Sequence, residues 1–347
     1  MASGAKTHLK QLIDLRYRAG ELKLFARNKA QSQLAGSVKT SFRGRGIDFE
    51  EIRHYQPGDD IRSIDWRVTA RTGEAHTKLY QEERERPVLV VADQRPSMMF
   101  GTQCCFKSVQ AAEVAGLLCW AALGQNDRVG GLVFNGQQHQ EIRPARSKSA
   151  VLKLLSAIHK YNTGEYSKHQ HSDKPNDEAD SINEVIKELR RIAKPGSALF
   201  IISDFIGLNE DGIKQLHLLK KHCDVTAIFI SDPMEKQLPL RGGCQFTDGV
   251  KRQWFNTNNQ QLVKAFKQRF INRATQLTQQ LAAHGIPTIA ISTNENALTV
   301  LRSQYHNKAT AGGINNSINN SIGDSIDNSI SNSTNNTSQL KEKGDAA

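Results

Sequence analysis

The chain has 347 residues, a formal net charge of +11 and 38% apolar residues, enough for one large or two ordinary domains with a substantial core. No run of about eighteen apolar residues occurs, which excludes a membrane-spanning helix. The N-terminus lacks the apolar block of a signal peptide, so we expect a cytoplasmic protein.

Residues 1–37 are predicted to form a basic N-terminal helix. Apolar residues recur at helical spacing over residues 7–30, where Thr7 can cap a helix. Residues 1–45 carry ten Lys or Arg against two acidic residues. Such an arm can bind nucleic acid or an acidic partner, and it can equally be a solvated helix face.

Residues 38–85 form a segment that combines a strand or hairpin arm at 38–51 with the stretch "IRHYQPGDDIRSIDWRVTAR". Pro57 and Gly58 are typical of the two central positions of a type II turn. Asp59 is then placed to cap a short helical turn over residues 60–62.

The same stretch contains four arginines and three aspartates, which suggests that its charges pair with one another. Near-neutrality argues against a nucleic-acid groove, and neighbouring arginines argue against acid–base catalysis because they lower carboxyl pKa values. Two interpretations stay open: a self-paired structural element, with Ile64 and Trp66 against the sheet, or a docking surface anchored by Trp66 or Tyr55. The residues concerned are Arg53, Tyr55, Pro57, Gly58, Asp59, Asp60, Arg62, Asp65, Trp66, Arg67 and Arg71.

Residues 86–308 alternate between short apolar runs and helical patterns. This alternation predicts an α/β fold with a doubly wound, mostly parallel sheet and helices on both faces. Strands are predicted at 87–93, 127–134, 197–204, 224–230 and 286–292. Helices are predicted at 107–123, 147–161, 181–192, 211–221 and 257–284.

Residues 309–347 differ in composition from the rest of the chain. Ser-Ile pairs recur every four residues among Asn, Ser and Asp. The isoleucines are too sparse to bury a core, so a disordered tail is predicted.

Two aspartates follow predicted buried strands, Asp93 after "PVLVVA" and Asp204 after "SALFIIS". Ligands of open α/β sheets bind beyond the carboxyl ends of the strands. We therefore expect the two carboxylates side by side at this edge, as a grip for a partner. Their hard oxygen atoms suit Mg²⁺ or Ca²⁺.

Two strings carry a family resemblance, "GRGIDFEEIRHYQPGDDIRSIDWRVTAR" and "VLVVADQRPSMMFG". They resemble the domain-of-unknown-function family numbered fifty-eight, MoxR-associated proteins with a von Willebrand factor A-like (vWA-like) domain. The resemblance implies a vWA-like fold and an association with a MoxR-type AAA+ ATPase, with other vWA-domain proteins as further candidate partners. It implies no catalytic activity.

The resemblance also bears on a metal-ion-dependent adhesion site. The vWA pattern Asp-x-Ser-x-Ser matches this chain at Asp93 and Ser97, but Arg95 replaces the first serine. Asp204 matches the acid of the third loop, and Thr163 lies near the second-loop threonine. Either Mg²⁺ binds at Asp93, Ser97 and Asp204, or the Arg95 guanidinium pairs with the carboxylates in its place.

These observations predict a non-enzymatic adaptor that binds a MoxR-type AAA+ ATPase, its client, or both, in chaperone-like assembly or metal insertion. The first alternative is a nucleic-acid-associated protein that uses the basic arm of residues 6–45. The last alternative is a Mg²⁺-dependent hydrolase built on Asp93 and Asp204, which the positive charge of Arg95 disfavours. No Walker A sequence is present, so the chain itself is not expected to hydrolyse ATP.

Overall fold

The computed structural model describes residues 2–22, 24, 47–82, 86–165, 182–238, 242–247, 252–256 and 260–310. The chain divides into two compact units, residues 1–304 and 305–347. The described part of the second unit is residues 305–310, the end of a helix. Most of the basic arm, the polar loop at 166–181 and the predicted tail from 311 onward lie outside the described residues.

Ten strands are present in the described residues. They are β1 Ile47–His54, β2 His76–Glu82, β3 Pro87–Asp93, β4 Arg128–Phe134, β5 His139–Ala145, β6 Ala198–Ser203, β7 Asp224–Ser231, β8 Gly243–Thr247, β9 Arg252–Asn256 and β10 Thr288–Ser292. The α-helices of the same residues are α1 Leu9–Asp14, α2 Arg16–Ala19, α3 Trp66–Thr72, α4 Lys107–Gly124, α5 Lys148–Thr163, α6 Ile182–Ile192, α7 Glu210–Lys220, α8 Pro233–Lys236, α9 Gln260–Ala283 and α10 Ala297–Thr310.

The central sheet has six strands in the order β10-β7-β6-β3-β4-β5. All neighbouring pairs are parallel except β4 and β5. The order reverses beside β3, which is the first strand of the sheet in the chain and lies at its centre. The prediction of a mostly parallel α/β sheet is confirmed, and the reversal point between β3 and β6 is where a doubly wound sheet opens a crevice for ligands.

Helices pack on both faces of this sheet. Apolar residues of α6, α7 and α9 form one buried cluster with inward residues of the strands, including Leu132 of β4. A side chain at the adjacent Gly131 would point to the opposite face of the sheet, because side chains alternate along a strand. A Cβ at Gly131 would lie 3.1 Å from a methyl group of Leu154 in α5, so α5 covers the second face.

Several predicted elements differ in detail from the observed ones. The helix predicted over residues 7–30 is interrupted at Leu15, which separates α1 from α2. Helix α2 ends at Ala19, and Gly20 is its C-cap. Thr7 does not cap the predicted helix: α1 begins after His8 with no side-chain cap hydrogen bond, and the Thr7 hydroxyl lies 2.9 Å from His159 Nδ1 instead. The edge strand β5, the β8–β9 hairpin and helix α10 were not predicted. In the described residues, no helix combines the length and apolar character needed to cross a membrane.

The segment before the central sheet forms a separate two-stranded sheet. Strands β1 and β2 pair antiparallel from Ile47 opposite Glu82 to His54 opposite His76. A 3-10 turn at Ile61–Ser63 and helix α3 lie between them in the chain. An isolated bridge joins Ile64 to Thr77, which holds this connection against β2.

Candidate functional site

The strand arrangement brings Asp93 and Asp204 to the same crevice. Asp93 is the last residue of β3, and Asp204 follows the last residue of the neighbouring strand β6. Ala92 of β3 pairs with Ile202 of β6. Ser203 then lies beside Asp93, and its hydroxyl donates to Asp93 Oδ2 at 2.7 Å. The expected meeting of the two strand ends therefore occurs at the reversal point of the sheet.

The Arg95 guanidinium binds the Asp93 carboxylate. Its Nε lies 3.1 Å from Oδ1 and 3.0 Å from Oδ2, and Nη2 donates to Oδ2 at 2.7 Å. The Arg95 amide also donates to Oδ1 at 2.9 Å. Arg95 Nη2 lies 3.6 Å from Asp204 Oδ1, and Nη1 donates to the Ile206 carbonyl at 2.9 Å. One arginine thus links both strand ends.

A second buried cation, Lys107, pairs with Asp204. Lys107 is the first residue of α4 and is 1% exposed. Its ammonium donates to Asp204 Oδ2 at 2.9 Å and to Glu235 Oε1 at 2.8 Å. A buried charge is costly unless it is paired, and the two carboxylates compensate the charge of this buried lysine.

The electrostatic environment differs between the two aspartates. Burial acts to raise the pKa of Asp204, but Lys107, the Ile206 amide and Arg95 outweigh it, so this pKa lies below its ordinary value. Burial raises the pKa of Asp93, against the opposing hydrogen bonds from Arg95. Burial lowers the pKa of Arg95, but the hydrogen bonds and charge of Asp93 outweigh it and raise this pKa overall. The guanidinium therefore stays charged.

The donor set does not fit a magnesium ion. Each carboxylate already accepts hydrogen bonds from a cation, and Mg²⁺ in their midst would meet both positive charges. The Ser97 hydroxyl is buried without a hydrogen-bond partner among the described residues. The Thr163 hydroxyl donates back to its own helix, to the His159 carbonyl at 3.0 Å. No described cluster of three or more His, Cys, Asp or Glu side chains is arranged to hold a metal.

The expected direct grip of Asp93 and Asp204 on a partner is wrong. The side chains of both aspartates are 0% exposed, and that of Arg95 is 13% exposed. Arg95 and Lys107 seal the carboxylates from the surface. A partner at this edge would meet the outer side of Arg95 and its flanking loops instead of the acids.

Sequence reasoning missed Lys107, Ser203 and a third strand-end acid, Asp232. The signal for Asp232 was present, because "FISD" at the end of β7 repeats the "IISD" at the end of β6. Asp232 is fully buried and caps α8 through the Met234 amide at 2.9 Å. It also accepts from the Thr293 hydroxyl at 2.6 Å. A lysine at a helix N-terminus is unfavourable towards the helix dipole, which could have marked Lys107 as specifically paired.

The Pro57-Gly58 turn forms as its sequence predicts. Gly58 has a φ of 109°, and the Asp59 amide donates to the Gln56 carbonyl at 3.0 Å. Asp59 does not cap the following turn. Its carboxylate accepts from the Gln56 amide at 2.9 Å and from Arg53 Nη2 at 2.7 Å, and these bonds lower its pKa. The cap is one residue later, where Asp60 accepts from the Arg62 amide at 3.0 Å.

The expected mutual pairing of the charges in this stretch is only partly correct. Arg53 pairs with Asp59, but Asp65 pairs with Lys78, 3.3 Å away, instead of with an arginine. Asp65 also caps α3 through the Arg67 amide at 3.0 Å. Within the described residues, the exposed side chains of three arginines have no ionic partner: Arg62, Arg67 and Arg71.

The two candidate aromatic anchors are placed differently. Trp66 is 66% exposed, so its expected contact with the sheet is wrong. Tyr55 is half-buried, and its hydroxyl donates to the Asp59 carbonyl at 3.3 Å. Trp66 is thus available to a partner, whereas Tyr55 supports the turn.

Comparison with known proteins shows the family. The sequence pattern of a family described as "Protein of unknown function DUF58" matches residues 51–276, from β1 into α9. The chain belongs to the DUF58 family. Uncharacterized proteins of Mycobacterium tuberculosis and Mycobacterium bovis are each 30% identical to it over 240 residues, covering 67% of this chain and 71% of theirs. The DUF58 match includes both the strand-end crevice and the segment that displays Trp66.

Two solved structures show weaker likeness to this DUF58 chain. The conserved hypothetical protein BatB from Bacteroides thetaiotaomicron is 14% identical, with a TM-score of 0.37, over 65% of this chain and 100% of that one. An uncharacterized membrane spanning protein from Vibrio fischeri is also 14% identical, with a TM-score of 0.19, over 66% of this chain and 99% of that one.

Proposed function

We propose that this DUF58 protein is a non-enzymatic, vWA-like adaptor that binds a MoxR-type AAA+ ATPase, its client, or both, in a chaperone-like assembly or metal-insertion system. The resemblance of residues 42–101 to MoxR-associated proteins suggests the ATPase as partner. The strand order, which reverses beside the central strand β3, supports the vWA-like interpretation of the sheet.

One observation carries the proposal: internal cations already hold both acids at the ligand-binding edge. Arg95 binds Asp93, and Lys107 binds Asp204. A general acid or base must reach the substrate, and a hydrolytic metal must keep an open coordination position. The buried, compensated acids of this edge offer neither, so binding without turnover is the function that it supports best.

The burial of the acids also changes how a partner would be bound. A mechanism in which the partner completes a shared Mg²⁺ site has no ligand set here. The remaining route is docking on exposed side chains, and the segment between β1 and β2 displays the apolar group suited to this, Trp66. Binding is therefore expected not to require a divalent cation at Asp93.

The test is complex formation between the full chain and the MoxR-type ATPase encoded beside it. Both proteins are purified, mixed without nucleotide, with ADP, or with a non-hydrolysable ATP analogue and Mg²⁺, and analysed by size-exclusion chromatography with light scattering. An AAA+ ATPase from another family is the control. We expect a complex with the MoxR-type ATPase in at least one nucleotide state and none with the control.

Two results would count against the adaptor. Absence of a complex in every nucleotide state would remove the ATPase as partner. Turnover of a phosphoester or peptide substrate by the chain alone, abolished in Asp204→Asn, would replace the adaptor with an enzyme.

A further inference from the structure

The connection between β1 and β2 presents an exposed patch, here called the signature surface: Ile61, Arg62, Trp66, Arg67 and Arg71. Ile61 is 65% exposed and Trp66 is 66% exposed. Large apolar side chains of this kind lose water on docking, and a tryptophan is among the commonest hot-spot residues of protein interfaces. Ile61 begins the turn at Ile61–Ser63, and Trp66, five residues later, is the first residue of α3.

The backbone under the signature surface is held in place. Asp60 caps the turn at Ile61–Ser63, and Asp65 caps α3. The Asp65 amide donates to the His76 carbonyl at 2.8 Å, and Ser63 Oγ lies 2.5 Å from Thr77 Oγ1. Because this scaffold is already ordered, this chain would lose little conformational entropy when a partner binds.

The charge of the surface selects the kind of partner. Arg67 and Arg71 are four residues apart on α3, so they lie on one side of the helix. Together with Arg62 they are exposed and have no ionic partner within the described part of the chain. Two exposed acids lie near this surface: Asp60 accepts from the Arg62 amide, and Glu74 Oε2 lies 3.1 Å from His54 Nδ1. The complementary surface is therefore acidic around an apolar depression.

We propose that the signature surface is the docking site for an acidic protein partner whose apolar pocket receives the Trp66 indole. This inference rests on the proposed function in taking the MoxR-type ATPase as that partner. The apolar pair Ile61 and Trp66 favours a protein over a nucleic acid, whose backbone would be met by the arginines alone.

The experiment measures the Kd of the full chain for the purified ATPase by biolayer interferometry, in the nucleotide state that gives the strongest complex. Trp66→Ala is compared with Trp254→Ala, since Trp254 is 71% exposed and lies on the separate β8–β9 hairpin. We expect Trp66→Ala to weaken the Kd by roughly thirtyfold, as for a hot-spot aromatic. Trp254→Ala is expected to leave it unchanged.

The arginines are tested by the double change Arg67→Glu and Arg71→Glu. Its control is Arg191→Glu on α6, a residue whose side chain is 69% exposed. We expect the double variant to bind more slowly and to lose the salt dependence of the wild-type association rate. A DNA duplex is offered as a second probe, and a second copy of the chain is tested by light scattering.

Each outcome decides for or against the surface. Weakening by Trp66→Ala and by the arginine reversal, with both controls silent, supports it. Wild-type binding that survives both changes overturns the surface while the adaptor function stands. No binding of the ATPase by the wild type overturns both proposals. Tight, arginine-dependent binding of the duplex, or a dimer lost in Trp66→Ala, would assign the surface to nucleic acid or to self-association instead.

Discussion

Arg95 follows Asp93 by two residues in the chain, and its Nε lies 3.1 and 3.0 Å from the two oxygens of the Asp93 carboxylate. The vWA pattern Asp-x-Ser-x-Ser has a serine at this position. The arginine supplies a fixed positive charge to the same carboxylate. The site is thus compensated by the chain itself, and its charge balance does not depend on a bound ion.

The first prediction concerns Arg95→Ser. Removing one partner of a buried ion pair should reduce the free energy of unfolding by about 3–5 kcal/mol, because the other charge is left uncompensated. The added hydroxyl and the freed carboxylate would provide oxygen ligands that Mg²⁺ accepts. We expect millimolar Mg²⁺ to raise the Tm of the variant above its value in EDTA. Thermal denaturation and calorimetric titration measure both effects.

The wild type is the control for magnesium, and its Tm should be the same in Mg²⁺ and EDTA. Arg191→Ser is the control for loss of an arginine, because the Arg191 side chain is 69% exposed and pairs with Glu188 on the surface. A magnesium-dependent Tm in the wild type would show that Arg95 does not replace the ion.

The second prediction concerns Lys107→Met and pH. In the wild type the pKa of Asp204 is below its ordinary value of 3.8. The stability from this carboxylate is therefore present above that value and lost as pH falls through the lowered pKa. Without Lys107, burial of Asp204 dominates and its pKa rises. We expect a loss of about 3 kcal/mol or more at neutral pH, which shrinks as the pH falls through the raised pKa.

Denaturant unfolding at a series of pH values measures this difference. Lys148→Met is the matched control, since Lys148 is also the first residue of its helix but is exposed. Its effect on stability should be independent of pH. A Lys107→Met deficit that stays constant from neutral to acidic pH would contradict the assigned role of Asp204.

The sequence allowed the central sheet to be predicted because its inner strands are short apolar runs. "PVLVVAD" and "SALFIIS" are buried along nearly their whole length as β3 and β6, and a two-sided burial leaves a continuous pattern. The edge strand β5, "HQEIRPA", buries only Ile142. Its mixture of polar and apolar residues and its proline interrupt the continuous apolar run by which a buried strand is predicted, as is usual for an edge strand.

The candidate site was predictable in position but not in detail. That two strand-end acids meet follows from topology alone. Which cation binds which acid depends on α4, since Lys107 begins this helix 14 residues after Asp93 and reaches Asp204 only through the fold. The count of charges between β1 and β2 likewise did not predict which of them pair. The stretch is nearly neutral, yet backbone amides compete for Asp60 and Asp65 and leave three arginines exposed.

The third prediction tests strand packing through Gly131 of β4. A Cβ at this position would overlap the Val90 carbonyl oxygen of β3. Overpacking of a close interior typically costs about 1–3 kcal/mol, so Gly131→Ala should destabilise the protein by at least that amount. Gly124→Ala at the end of α4, with no heavy atom within 4 Å, should instead stabilise it by about 0.5 kcal/mol. Denaturant unfolding measures the free energy of unfolding of both variants. Equal changes in stability would contradict the assigned packing of β3 on β4.

The last prediction concerns Asn162, whose amide joins the N-terminal segment to the sheet. Asn162 is 5% exposed. Its Oδ1 accepts from the Thr7 amide, and its Nδ2 donates to Gln94 Oε1 at 3.1 Å and Ser108 Oγ at 3.0 Å. Asn162→Leu keeps the size of the side chain but leaves these groups without their partner, which should cost about 2 kcal/mol.

The same change should loosen residues 2–22, because the Thr7 amide loses its buried acceptor. Limited proteolysis is expected to cleave this segment faster in Asn162→Leu than in the wild type, while the sheet stays resistant. Asn272→Leu is the control, since Asn272 is exposed on α9 and bonds only to Gln268 within the described residues. Equal proteolysis of the two variants would mean that Asn162 does not anchor the segment. Its other contacts, including the hydrogen bonds from Trp120 Nε1 to the Leu12 carbonyl and from Gln125 Nε2 to the Leu22 carbonyl, would then hold it.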